Sequence, residues 1–283
     1  MSNELCTQVY SGITDDFRND YQLTIYALRR SGHHAVMVWL AYHFGVPVYV
    51  LNDVKPYSDP CATSCFTNNW DIGSEWLTSP RSDIEEFRSK RKHCLMISVQ
   101  DLDLRGIDNR KDIFLWTEKF LGGSRKKFSV LVLRDPFNLL ASRLAKPEPL
   151  LELIDAKALL DVWEGYAREF VEETTYLGTC LRVNFNLWFS SLAYRRTLSE
   201  QIGRSFTDEG IEIVPRAGGG SSFEGTSFNQ RGSQMRVLDR WKHFSRDCNF
   251  RAAFERRHTL AYLYRRIFPH DRTVEQFLSS LEI

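Results

Sequence analysis

Three short strings, far apart in the chain, have the residue types of anion cradles. They are Leu28-Arg29-Arg30-Ser31-Gly32-His33-His34-Ala35, Leu133-Arg134-Asp135-Pro136 with Ser142 following, and Asn229-Gln230-Arg231-Gly232. The first follows the apolar run Leu23–Leu28, which reads as a buried strand. It precedes Ala35–Ala41, which reads as a buried helix. A helix that starts there sets unpaired backbone N–H groups and the positive end of its dipole beside two arginines and two imidazoles, an environment suited to phosphate or sulfate. In the second string Pro136 suits the first position of a helix, which puts Ser142 two turns along a helix that begins beside Arg134.

The elements that must position these residues follow from the apolar runs. A strand near 22–28, a helix near 33–44 and a strand near 46–51 make a βαβ start. Cys94–Val99, Phe128–Leu133 and Leu181–Phe185 continue the series as unbroken apolar runs, the habit of parallel strands covered on both faces. Leu159, Trp163, Tyr166 and Phe170 recur at helical spacing, as do Phe250, Phe254, Ala261 and Tyr264, and both stripes read as core. The expectation is an α/β fold with three layers, a parallel sheet flanked by helices. With 283 residues and no linker-like break, the chain reads as one domain over residues 1–283. Residues 52–80 read as a long aromatic-rich insertion, either a lid or a packed surface loop. The Gly-rich segment near 216–232 reads as mobile, either closing over a ligand or merely connecting.

Composition narrows the function classes. The 37 basic and 36 acidic residues leave a formal charge of +1, so an anion site must be local, and generic nucleic-acid binding is disfavoured. The six cysteines are scattered, Cys94 and Cys180 within core-like runs, which reads as reduced cytoplasmic thiols. Cys61 and Cys65 find no second pair at zinc-like spacing, so no metal site is expected. Residues 1–5 show no signal-peptide pattern, and the apolar stretch 35–51 is broken by His43, Gly45 and Pro47, so neither export nor a membrane span is expected.

With these strings in this order, the chain resembles, over nearly its whole length, the sulfotransferases that use 3′-phosphoadenosine 5′-phosphosulfate (PAPS). The resemblance implies a P-loop-like sulfotransferase fold, PAPS as co-substrate with 3′-phosphoadenosine 5′-phosphate (PAP) as product, and no metal. In that family a P-[KR]-[ST]-G-T-T loop grips the 5′-phosphosulfate; here Arg30-Ser31-Gly32-His33-His34 stands in its place. An Arg at a strand end and a Ser eight residues later reach the 3′-phosphate, and Arg134 and Ser142 keep that spacing. The family's Arg-Lys-Gly loop before a Trp-Lys pair is similar to Arg231-Gly232 with Asp239-Arg240-Trp241-Lys242 downstream. The chain also departs from the family. His33 and His34 replace the Thr pair, Ala35 stands where many members carry an adenine-stacking Trp, and Phe185 lies near the position of a Tyr that contacts the base. The His expected at the end of the third strand is missing from Ser98-Val99-Gln100-Asp101-Leu102, where Asp101 offers a carboxylate.

The resemblance implies transfer of a sulfuryl group to a hydroxyl or amine of a small-molecule acceptor, a polar or cationic one of saxitoxin type being a similar-looking case. Arg30 is the candidate for stabilising charge on the departing phosphate. Asp101 is the natural base, or else the group that binds a cationic acceptor, and His34 competes for the role of base. A P-loop kinase or NTPase is the rival reading, weakened because residues 28–35 lack the P-loop Lys and the Ser or Thr for magnesium. A nucleotide-binding protein without chemistry is the other. Thr273-Val274 faintly echoes the family's dimer motif, so a homodimer is a further expectation.

Overall fold

The computed structural model describes residues 17–45, 48–63, 65–70, 84–107, 113–145, 155–215 and 220–281. One sheet runs through them. In chain order its strands are β1 (Phe17–Ala27), β2 (Val48–Asn52), β3 (Cys65–Trp70), β4 (Lys92–Gln100), β5 (Gly123–Leu133) and β6 (Cys180–Asn184). Across the sheet they lie in the order β3-β2-β4-β1-β5-β6. The five strands β2, β4, β1, β5 and β6 run parallel, and β3 closes one edge antiparallel to β2.

Strand alternation explains the three layers. Leu23, Ile25, Cys94, Met96, Val130 and Val132 turn to one face, where they pack with α1 (His33–Phe44), α7 (Phe185–Ser190) and α8 (Leu192–Gln201). Tyr26, Leu95, Ile97, Leu131 and Leu133 turn to the other face. There they meet α4 (Ile113–Leu121), α5 (Pro136–Leu144) and α6 (Ala156–Phe170). The C-terminal helices α9 (Cys248–Phe254), α10 (His258–Ile267) and α11 (Arg272–Ser279) thicken the same layer. Two short helices, α2 (Pro60–Thr63) and α3 (Ile84–Ser89), and three 3-10 turns at Leu104–Gly106, Gly232–Gln234 and Arg240–His243 complete the described elements. None of the described helices is long and apolar enough to cross a membrane.

Two expectations are corrected. Residues 65–70 form an edge strand, not part of a loop, because pairing with β2 orders a segment whose composition signals no strand; residues 71–80 lie outside the described residues. β1 and β5 begin well before their apolar runs. Their polar halves pair with each other, Tyr21 against Lys126 and Gln22 against Lys127, so the backbone ladder continues where the side chains turn polar. In the Gly-rich segment, residues 216–219 lie outside the described residues. Ser221 and Gly225 close a tight turn through paired backbone bonds of 2.8 and 3.0 Å.

Candidate functional site

The site is built on the carboxyl rim of the parallel strands, where open α/β sheets bind ligands. After β1 the chain turns sharply: Ser31 N–H donates to the Leu28 carbonyl at 3.0 Å, and Gly32 caps α1 with φ of 82°. A side chain at Gly32 would meet the Phe185 ring at 2.2 Å, so the tight approach of the first turn of α1 to α7 requires glycine. Three non-glycine residues along this rim also adopt left-handed backbone: Arg30 (φ 67°), Asp53 (φ 57°) and Asp101 (φ 54°), which follow β1, β2 and β4.

A second rim segment carries Arg134, which follows β5. Asp135 caps α5 by accepting from Asn138 N–H at 2.8 Å, and Pro136 occupies the first turn. The Arg134 side chain is buried. Its Nη1 donates to the Arg30 carbonyl at 3.0 Å and to Ser142 Oγ at 3.1 Å, and its Nη2 donates to the Val237 carbonyl. Asn138 fastens the C-terminal segment to α5, donating to the Leu238 carbonyl at 3.0 Å and accepting from Trp241 N–H at 3.1 Å. That anchorage brings the buried Arg240 to the same hydroxyl, its Nη1 at 3.4 Å from Ser142 Oγ. Glu224 Oε2 accepts from Arg240 Nη2 at 2.8 Å. Burial, reinforced by the neighbouring Arg240, pushes the Arg134 pKa down to about 9.

Between these segments lies a cavity of about 360 Å³. Arg29, Arg30, Arg134 and Arg240 form its cationic wall, with His33 and His34 from the first turn of α1. Phe185, Trp188 and Phe189 of α7, with Ile211, Ile213 and Val214, form an apolar wall. Asn52, Asp53 and Gln100, from the ends of β2 and β4, form a polar end. Four buried nitrogens on lining residues have no hydrogen-bond partner among the described residues: Arg134 Nε, Arg240 Nε, His33 Nε2 and Trp188 Nε1. Buried polar nitrogens of this kind are rare unless something binds them. Burial, with His34 and the arginines Arg143, Arg29 and Arg30, holds the pKa of the His33 imidazole well below the ordinary value. No group of three His, Cys, Asp or Glu side chains able to hold a metal ion occurs among the described residues.

No protein-family model matches the chain, and no curated protein matches it. Two solved structures are similar over most of its length. One is the sulfotransferase domain from the Synechococcus PCC 7002 olefin synthase, at 14% identity and a TM-score of 0.49, covering 91% of this chain and 98% of that one. The other is mouse sulfotransferase SULT7A1 complexed with PAP, at 11% identity and a TM-score of 0.46, covering 92% of this chain and 89% of that one. Both neighbours are sulfotransferases.

The structure brings Arg30, Gly32, His33 and His34 to one cavity with Arg134, and Ala35, Phe185 and Gly232 join its lining. Four expected residues are placed otherwise. Ser31 is buried behind the loop, its Oγ 3.4 Å from His33 Nδ1. Ser142 is buried between Arg134 and Arg240, so its hydroxyl positions two cations instead of facing the cavity. Arg231 is exposed and turns to the Ser227 carbonyl at 3.4 Å, and Arg240, nine positions on, is the cation this part of the chain supplies to the cavity. Asp101 is the fourth. Its carboxylate accepts from Arg29 N–H at 2.9 Å and from the Arg143 guanidinium, and it does not line the cavity. Gln100, the last residue of β4, takes that place, and the chain turns into left-handed backbone at Asp101 directly after it. Asn52, Gln100 and Arg240 carry no motif that sequence reasoning could isolate, apart from Arg240's place before Trp241-Lys242.

Proposed function

We propose that this chain is a sulfotransferase that moves a sulfuryl group from PAPS to a hydroxyl or amine of a small-molecule acceptor. The observation that carries the reading is the Arg134 guanidinium, buried at the end of a parallel strand, bonded to neutral oxygens and without a carboxylate partner among the described residues. A buried cation left without an anion is costly, and a phosphate beside it returns the lost solvation as charge-assisted hydrogen bonds. Arg240, across the Ser142 hydroxyl, fits the same doubly charged 3′-phosphate. Arg30 and the amide end of α1 fit the 5′-phosphosulfate, and the apolar wall from Phe185 to Val214 fits an adenine between the two anions.

Sulfuryl transfer asks for in-line placement and for cations where charge develops on the departing phosphate. Arg30 supplies that charge, and the polar end at Asn52 and Gln100 leaves room for the acceptor's attacking atom. A saxitoxin-type guanidinium acceptor would meet the Asp53 carboxylate, which already binds Arg29 Nη2 at 2.5 Å and Lys55 Nζ at 3.2 Å. The occupied Asp101 carboxylate supports a second reading, a protein that binds the nucleotide without chemistry.

Mass spectrometry after incubation with PAPS and a panel of hydroxylated and amino metabolites separates the two. Gain of one sulfuryl group on an acceptor, with equal PAP released, is the expected result. Binding of PAP with no transfer to any acceptor would favour the second reading.

A further inference from the structure

Asp101 and Arg143 stand behind the cavity wall, and neither lines it. Between them they hold both backbone groups of Arg29. Asp101 Oδ1 accepts from the Arg29 N–H at 2.9 Å, and Arg143 Nε donates to the Arg29 carbonyl at 2.9 Å. An ion pair joins Arg143 Nη2 to Asp101 Oδ1, and Asp101 Oδ2 lies 3.6 Å from Arg29 Nε. The Asp101 N–H donates to the Ala27 carbonyl at 3.1 Å, as the β1–β4 ladder requires. A regular parallel ladder would next give the Arg29 N–H to the Asp101 backbone carbonyl. Here the backbone turns left-handed at Asp101 (φ 54°), and the side chain accepts that N–H instead.

We infer that Asp101 and Arg143 are positioning residues, an ion pair that clamps the backbone of Arg29 and so sets the loop that receives the 5′ end of the nucleotide. This role rests on the sulfotransferase reading of the site. The next carbonyl, that of Arg30, accepts from Arg134 Nη1 at 3.0 Å, so two consecutive carbonyls of the loop are drawn to arginines. A carbonyl oxygen facing an arriving phosphate would repel it. With both held, Arg30 keeps a left-handed backbone (φ 67°), which a non-glycine residue retains only where its surroundings impose it. From that turn the chain enters α1, whose first amides and dipole face the anion. The clamp is strong because both of its backbone bonds are charge-assisted, and Arg143 is buried, which protects them from water. Transfer depends on the sulfur lying in line with the attacking atom, so a loop that relaxes costs more at the 5′ end of the nucleotide than at the 3′ end.

The test uses the full chain with adenosine 5′-phosphate and adenosine 3′-phosphate as separate probes of the two ends. Arg143→Lys keeps a cation beside Asp101 but loses the fork that reaches carboxylate and carbonyl together. Asp101→Asn keeps an acceptor for the Arg29 N–H but removes the charge that holds Arg143, and it carries the same comparison if Arg143→Lys fails to fold. In calorimetry each variant should bind adenosine 5′-phosphate at least about tenfold more weakly than the unaltered chain, while affinity for adenosine 3′-phosphate stays within about threefold. Release of PAP from PAPS, with water as acceptor and followed from about pH 5 to about pH 9, should slow in both variants with an unchanged pH profile. Equal losses for the two probes, or unweakened binding of adenosine 5′-phosphate, overturns the inference and leaves the sulfotransferase reading standing. A displaced acid limb in Asp101→Asn also overturns it, since the carboxylate would then exchange a proton instead of holding the loop. Failure of the unaltered chain to bind PAP overturns both.

Discussion

Arg134 and Ser142, eight residues apart, meet where α5 passes beneath the rim: Nη1 of Arg134 donates to the serine hydroxyl at 3.1 Å. Arg240 approaches the same oxygen at 3.4 Å. Two buried guanidinium groups thus share one neutral acceptor, and burial lowers the pKa of each. Glu224 offsets the charge of Arg240 at 2.8 Å, whereas Arg134 has no ion pair among the described residues. The imbalance makes this pair a place where an arriving anion gains more than it would at the surface.

Glu224 occupies the guanidinium that a phosphate would need, so it competes with ligand. Glu224→Gln should tighten PAP binding about tenfold, or about 1.4 kcal/mol, while lowering the melting temperature of the unliganded chain. Titration calorimetry beside thermal melts reads both effects. Weaker binding in the variant would show that Glu224 supports the anion site instead of competing for it.

Gly32 makes a prediction through its neighbour. Gly32→Ala adds a left-handed alanine, costing about 1–2 kcal/mol, and drives its methyl into the Phe185 ring. In the double variant with Phe185→Ala the collision disappears and only the backbone strain remains. Denaturant titration of the four proteins in the cycle should give a favourable coupling of about 1 kcal/mol or more. Simple additivity would place the two residues out of contact.

Asp101 is expected to matter for folding. It engages Arg143, which is buried, and Arg29 at 3.6 Å, while its own carboxylate is partly solvated. Asp101→Asn should therefore destabilise the chain by about 2 kcal/mol, less than the loss of a fully buried pair. Its acid limb in PAPS turnover should match that of the unaltered protein, which a pH–rate comparison checks.

Lys92 gives a pH dependence remote from the site. Its side chain is fully buried, its Nζ donates to the Lys90 carbonyl at 2.9 Å and lies 4.9 Å from the centre of the Phe87 ring, and burial pushes its pKa down from 10.5 to about 8. Below pH 8 the ammonium is charged in both folded and unfolded chains, and the cost of burying it is fully present. Between pH 8 and 10.5 the folded chain has released a proton that the unfolded chain keeps, so this group's contribution makes stability rise with pH. Lys92→Met should be more stable than the unaltered chain at pH 7, by up to about 3 kcal/mol, and the difference should shrink through that window. Chemical denaturation at several pH values measures it.

The fold was legible where apolar runs were long. The helix 33–44 follows a turn glycine and stops at Gly45, and the central halves of β1, β4 and β5 are buried on both faces, so each could be read from its own residues. β3 and the polar halves of β1 and β5 could not, because their order comes from a neighbouring strand. At the site, Arg30 and Arg134 stood out because each follows a strand and opens a helix. Arg240 reaches the cavity only through Asn138's grip on residues 238–241, a relationship with no trace in local pattern. Asp101 and Gln100 differ by one position, and only the direction in which each side chain leaves the strand end decides which one meets the cavity.

The most direct test of a doubly anchored nucleotide is calorimetric titration with PAP beside adenosine 5′-phosphate, which lacks the 3′-phosphate, repeated on Arg134→Ala. PAP should bind the unaltered chain at least about a hundredfold more tightly than adenosine 5′-phosphate, a difference of about 2.7 kcal/mol. Arg134→Ala should erase most of that difference. Equal affinity for the two nucleotides, or a preference for PAP that survives the loss of Arg134, would contradict the account.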